Sequence, residues 1–238
     1  MAEGPQAVRE ALLAGAVTDL YVDPAAAERL SELLDLATGL GVDAHALAGR
    51  DLATLTDPVT PQGVAAVCRR VDVGLAGVVR PDARLVVCCV QVRDPGNAGT
   101  VVRCADAFGA DGVVLTTGSV ELTNPKTVRA SVGSLFHLPV TVGADLANVV
   151  AAAHAAGLQV LAADGSGDVE LSELSRTGGL TVPTLWLFGN EAWGMPAADR
   201  ALADRVVRVP LYGAAESLNL ATAAAVCLYT TATAQHAD

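Results

Sequence analysis

Residues 85–109 read LVVCCVQVRDPGNAGTVVRCADAFG, and this stretch decides the fold class. LVVCCVQV is an unbroken apolar run, the composition of a strand buried on both faces of a parallel sheet. Asp94-Pro95-Gly96-Asn97 then forms a turn, with Asn97 the expected cap of a helix over 97–108. A buried strand that passes through a short polar turn into a helix is the repeating unit of an α/β fold.

Working outward, the same alternation continues toward the C-terminus. Further strands are expected at 112–115, 138–142, 158–162, Thr184–Phe188 and 205–209, with a helix at 146–156. The predicted architecture is therefore α/β, a parallel sheet with helices on both sides. Toward the N-terminus, 6–14 reads as a helix stopped by Gly15, followed by an extended stretch at 20–22. Asp23 is the expected cap of a helix with Pro24 in its first turn, running to Gly39 with Leu30, Leu33, Leu34 and Ala37 on one face. Extended pieces at 42–44 and Val64–Cys68 complete a small α/β unit over 1–73. GLAGVVRPD, residues 74–82, reads as a linker, which leaves 83–238 as the larger domain.

Composition narrows the function. The 238 residues carry a formal charge of −11, and residues 1–82 alone hold six Arg against twelve Asp or Glu. Broad electrostatic coating of nucleic acid needs the opposite balance, so any such contact must be local. Aromatics make up 3%, too few for extended base-stacking platforms. Five cysteines without CxxC spacing read as structural thiols rather than a metal cluster or disulfide framework, and Cys88 and Cys89 would point to opposite faces of a strand. The uncharged run 217–236 contains Asn219, Thr222, Thr230, Thr231, Thr233 and Gln235, which suits a buried or interface helix better than a bilayer span. MAEGPQAVREALLAG has neither the basic start nor the apolar stretch of a secretion signal, so a cytoplasmic location without membrane attachment is expected.

Common nucleotide motifs fail. Gly165-Ser166-Gly167 is followed by Glu170 where GxGxxG needs its third glycine, and no GxxxxGK[ST] occurs. His45, His137, His154 and His236 are scattered, with no adjacent nucleophile. What remains is chemistry at three strand ends, the usual ligand location in an open α/β sheet. Arg103, six positions after Asn97, offers several donors to a phosphate, though a helix cap and a solvated cation account equally for the pair. Glu191 directly follows a buried strand, where a carboxylate needs a partner or caps a helix. Ser217 and Asn219 alternate with Leu218 and Leu220, so one pair can line a pocket while the other packs beneath, or Ser217 is simply an N-cap.

Taken together, NAGTVVR, FGNEAWGM and VPLYGAAESLNLATA resemble the three ordered motifs of the SpoU/TrmH group of RNA ribose 2′-O-methyltransferases, within the SPOUT superfamily. VRASVGSLFHLPV between them agrees, and the resemblance covers about residues 84–238. The N-terminal unit, with EALLAGAV and TPQGVAAV (60–67), resembles the L30e-like substrate-binding domain often fused to this group. The resemblance implies a deep trefoil knot, a homodimer, and S-adenosylmethionine held near Leu187, Gly189, Asn190, Val209, Leu211 and Leu218. It also implies a site of Asn97, Arg103, Glu191, Ser217 and Asn219 acting on an RNA ribose 2′-hydroxyl, in rRNA rather than tRNA, without a metal. Arg9, Arg50, Arg69, Arg70 and Arg129 are the expected RNA contacts. The competing expectation, from another functional class, is a non-catalytic RNA-binding or ribosome-assembly factor that keeps the fold.

Overall fold

The computed structural model describes residues 1–56 and 62–237. Its first sheet holds β1 (Ala2–Glu3), β2 (Val17–Val22), β3 (Ala44–Ala46) and β4 (Val64–Cys68), in the order β1-β4-β2-β3. β2 and β3 run parallel; the other two pairings are antiparallel. Helices α1 (Pro5–Leu13), α2 (Ser31–Gly39) and α3 (Gly49–Leu55) accompany this sheet. Ala7, Val8, Ala11 and Leu12 of α1 meet Leu33 and Ala37 of α2 over Leu20, Val22, Val64 and Ala66. The helix expected from Asp23 to Gly39 is broken. Asp23 caps only a 3₁₀ turn, Pro24–Ala26, accepting from the Ala25 amide at 3.0 Å, and Arg29 reaches across to the Gln62 carbonyl at 2.9 Å before α2 begins. The extended piece expected at 42–44 forms two residues later, as β3. Thr60 and Pro61 of the TPQGVAAV stretch lie outside the described residues.

The second sheet has seven parallel strands: β5 (Leu85–Cys89), β6 (Gly112–Thr116), β7 (Val140–Ala144), β8 (Gln159–Ala163), β9 (Val169–Glu170), β10 (Thr184–Phe188) and β11 (Arg205–Arg208). Around it lie α4 (Leu75–Val78), α5 (Pro95–Ala107), α6 (Pro125–Ser131), α7 (Leu146–Ala155), α8 (Leu171–Arg176), α9 (Ala197–Arg200) and α10 (Leu220–Gln235). Strand alternation divides the core in two. Val87, Cys89, Leu161, Trp186 and Phe188 face α5, α6, α8 and α10. Val86, Cys88, Val160, Leu185 and Leu187 face α4 and α7. Cys88 and Cys89 thus point to opposite faces, and burial pushes the Cys89 thiol up to about 12, with the nearby Glu191 charge adding to it. All five cysteines are free.

The strand order is β7-β6-β5-β10-β8-β11-β9. The chain builds outward from β5 to β7, crosses to β8 on the other side, and later inserts β10 between β5 and β8. β11 is inserted in the same way between β8 and β9. After β11 the chain returns over the strand ends to α10, which lies against α5 and α8. Trp186 fixes this packing by donating to the Thr231 hydroxyl at 2.9 Å within the core. Gln235, at the far end of α10, donates to the carbonyls of Arg84 and Val182.

Residues 74–82 carry α4, whose Val78 is fully buried in the second face of the large sheet. The two sheets also meet through polar ties. His137 bridges Asp106 of α5 at 2.7 Å and Glu10 of α1 at 3.1 Å, and Arg129 of α6 pairs with Glu3 at 3.2 Å.

Candidate active site

The carboxyl ends of β8, β10 and β11 converge beside the point where strand order reverses, where parallel sheets place their ligands. A cleft of about 480 Å³ opens there, within the size range of small-molecule sites. Phe188, Val207, Val209, Leu211 and Leu218 form its apolar walls. Gly189 is required by close approach, since a Cβ there would lie 2.7 Å from the Gly194 backbone. Three carboxylates line the cleft, those of Asp164, Glu191 and Glu216, and its described lining has no Lys or Arg. Burial pushes the Asp164 carboxyl up, but bonds from Ser166 and the nearby Arg200 guanidinium outweigh it and hold the group below the usual range. Such a lining favours a cationic ligand over a phosphate. S-adenosylmethionine fits it, with a flat adenine for the apolar walls and a sulfonium for the acidic field. Among the described residues, no group of three or more His, Cys, Asp or Glu is placed to hold a metal ion.

A chain of hydrogen bonds joins the three sequence motifs at the rim. Asn219 Nδ2 donates to Asn97 Oδ1 at 3.0 Å, and Asn97 Nδ2 donates to Glu191 Oε1 at 3.2 Å. Glu191 also accepts from the backbone amides of Arg93 and Asp94, each at 3.3 Å. The carboxylate is thereby tied to the turn that opens α5. Asn219 Oδ1 caps α10, accepting from Ala221 and Thr222 amides at 2.9 and 3.3 Å.

These placements revise two sequence readings. Asn97 is not the cap of α5. Asp94 takes that position, accepting the Asn97 amide at 2.7 Å; this bond, with Lys126 beside it, holds the Asp94 carboxyl below its ordinary range. With its backbone amide satisfied, the Asn97 side chain is released toward Glu191 and Asn219. Ser217 is likewise not a cap, because α10 starts three residues later and Asn219 caps it. Ser217, Leu218, Asn219 and Leu220 all line the cleft, so the expected division into a lining pair and a packing pair does not occur.

Gly189, Asn190, Val209, Leu211 and Leu218 line the cleft; at Leu187 the expectation concerns the backbone, and its side chain is buried on the opposite sheet face while Phe188 lines the cleft. Strand alternation is the reason. Arg103 is exposed on α5, outside the lining and about 9 Å along the helix from Asn97. Among the arginines expected to meet RNA, Arg9 is exposed on α1 and Arg50 pairs with Asp51 at 3.5 Å. Arg69 donates to the Gly15 carbonyl, Arg70 pairs with Asp72 at 2.8 Å, and Arg129 is held by Glu3.

Sequence reasoning passed over Asp164, Glu216 and Gln91. Gln91 adopts φ 53°, a strained conformation for a non-glycine residue. Its carbonyl accepts from Asn190 Nδ2 at 2.7 Å and its amide donates to Thr116 Oγ1 at 2.9 Å. This arrangement anchors the Asn190 loop to the end of β5. No local sequence pattern signals it, because the partners are 99 and 25 positions away.

Comparisons with known proteins agree with this geometry. The chain matches the SpoU rRNA Methylase family over residues 84–229, and the RNA 2'-O ribose methyltransferase substrate binding family over residues 1–73. It is 36% identical over 228 residues to the 23S rRNA (guanosine(2553)-2'-O)-methyltransferase RlmP of Bacillus subtilis, covering 95% of this chain and 86% of that protein. It is 40% identical over 140 residues to the 23S rRNA (uridine(2479)-2'-O)-methyltransferase of Streptomyces viridochromogenes, an overlap of 57% of this chain and 47% of that one. Among solved structures, SpoU methyltransferase AviRb from Streptomyces viridochromogenes in complex with AdoMet superposes with a TM-score of 0.81 at 32% identity, covering 97% of this chain and 88% of that one. The AdoMet-bound rRNA methyltransferase from Sinorhizobium meliloti gives a TM-score of 0.81 at 30% identity, covering 97% and 85%. On the matching sequence motifs, the parallel sheet and these superpositions, the chain belongs to the SpoU rRNA methylase family.

Proposed function

We propose that this protein transfers a methyl group from S-adenosylmethionine to a ribose 2′-hydroxyl in ribosomal RNA. The observation that carries this reading is the linked Asn219–Asn97–Glu191 chain at the rim of an acidic, apolar-walled cleft. The named relatives that act on 23S rRNA support the large-subunit RNA as substrate. An intact polar chain across all three motifs speaks against a factor that has lost catalysis.

Val209, Leu211, Leu218, Phe188, Gly189 and Asn190 would hold the cofactor. When bound, S-adenosylmethionine supplies an electrophilic methyl group. The residues of the chain do the rest. Asn97 fixes the Glu191 carboxylate, which in turn holds the α5 turn against the β10 loop. Ser217 adds a hydroxyl to the cleft wall for orienting the ribose. The Arg103 guanidinium clamps the substrate phosphate and favours the alkoxide-like transition state, the proton leaving to phosphate or water. Its exposed place on α5 suits a residue that meets RNA outside the acidic cleft.

The same reading includes residues 1–73 as an L30e-like RNA-binding domain, 74–82 as the connection and 83–238 as the catalytic domain. It also includes a trefoil knot formed where the segment after β11 passes back to α10, and a cytoplasmic homodimer. The uncharged α10, with Tyr229 60% exposed, supports the dimer surface. No helix among the described residues is long and apolar enough to cross a membrane. Ribose methylation mapped on rRNA from cells with and without the gene tests the function. One 2′-O-methyl group should vanish on deletion; an unchanged map contradicts the assignment.

A further inference from the structure

The loop after β10 presents one aromatic ring to solvent beside the candidate site. Asn190 and Gly194 exchange backbone hydrogen bonds at 2.8 and 2.9 Å, closing a tight loop that carries Glu191 and Trp193. The Asn190 side chain braces it, donating to Gln91 and accepting from the Ala192 amide at 2.8 Å. Trp193 is 50% exposed, whereas Trp186 is fully buried. The Arg93 guanidinium lies over the Trp193 ring, 5.0 Å from its centroid, and the Arg93 amide bonds Glu191 at 3.3 Å. A half-exposed indole beside a guanidinium presents a π-face and a charge that complement a nucleobase and its phosphate. We infer that Trp193 and Arg93 form a nucleobase-binding subsite, in which the base of the target nucleotide or its neighbour stacks on the indole while Arg93 meets the adjoining phosphate. Base stacking fixes the ribose at the height of Glu191, two residues away on the same closed loop. The scarcity of aromatics argues against an extended platform, and one stacked base needs only the Trp193 ring. The occupant is single-stranded or flipped-out RNA, since a base within a duplex offers no free face.

This inference rests on the proposed function only for the identity of the RNA. The test measures equilibrium binding of end-labelled, protein-free rRNA fragments by fluorescence anisotropy in wild type, Trp193→Phe and Trp193→Ala, with Trp193 emission as a second reporter in wild type. RNA should quench the exposed indole, and Trp193→Ala should weaken RNA binding about fivefold to a hundredfold. Trp193→Phe should recover most of the affinity, and binding of S-adenosylmethionine should be the same in all three. In Trp193→Ala the remaining indole, Trp186, sits in the core and reports folding by its emission. Unquenched Trp193 in the RNA complex, or Trp193→Ala that is folded and binds RNA like wild type, would overturn the subsite. Wild type that quenches on RNA yet transfers no methyl group keeps the subsite and removes the proposed reaction.

Discussion

Asn97 is the residue on which the candidate site turns, because one amide serves two partners from distant parts of the chain. Asn97→Ala removes a donor to a carboxylate and a partner of Asn219, and should lower kcat/KM for RNA about tenfold to a hundredfold. Steady-state kinetics alongside a melting curve will separate this from unfolding, which should shift only slightly. Arg103→Ala should cost about a hundredfold or more in methyl transfer with S-adenosylmethionine affinity retained, measured by calorimetry and a single-turnover assay. Near-normal transfer would remove the clamp. The residue types of this site were legible in the sequence, since polar groups at buried strand ends need a purpose. Their roles were only partly so. Asp94 and Asn97 both suit a helix cap, and only the turn geometry shows that Asp94 takes the amide and leaves Asn97 for Glu191. Ser217 and Asn219 pose the same ambiguity, resolved by where α10 begins.

At the level of elements, the helix pair α5 and α6 depends on Gly99, where a Cβ would lie 2.4 Å from the Thr127 carbonyl. Gly99→Ala must push α6 away from α5 and should destabilise the fold by about 1–3 kcal/mol, read from chemical denaturation. His137 ties α5 to α1. Its hydrogen bond to Asp106 raises the imidazole pKa against the opposing effect of burial, with Glu10 adding to the rise. The folded state therefore binds the proton more tightly, so this contribution is complete below the ordinary histidine value and is lost as pH rises through the raised one. Melting temperature against pH should show that loss in wild type and lack it in His137→Gln. The parallel strands were legible because burial on both faces leaves unmistakable apolar runs, and Thr184–Phe188 forms as expected. Short α6 and α8, set by tertiary packing rather than by their own periodicity, were not. The break between Asp23 and α2 was equally hidden, since it depends on Arg29 reaching a carbonyl 33 positions away.

Over the whole molecule, charge and topology divide the labour. A net charge of −11 repels RNA generally, while exposed Arg93 and Arg103 flank the site locally. Replacing Arg69 and Arg70 together should weaken RNA binding more than cofactor binding and flatten its salt dependence. Equal loss of both would indicate misfolding, a real cost here because Arg69 also holds the end of α1 through the Gly15 carbonyl. The insertion of β10 and β11 between earlier strands gathers residues 97, 191 and 219 at the carboxyl end of the central strands, and the proposed chemistry depends on that convergence. The most direct test is to incubate the purified protein with rRNA and S-adenosylmethionine carrying a deuterated methyl group, then digest the RNA to nucleosides for mass spectrometry. The account predicts label on a ribose 2′-oxygen alone, and label on a base, or none with cofactor bound, would contradict it.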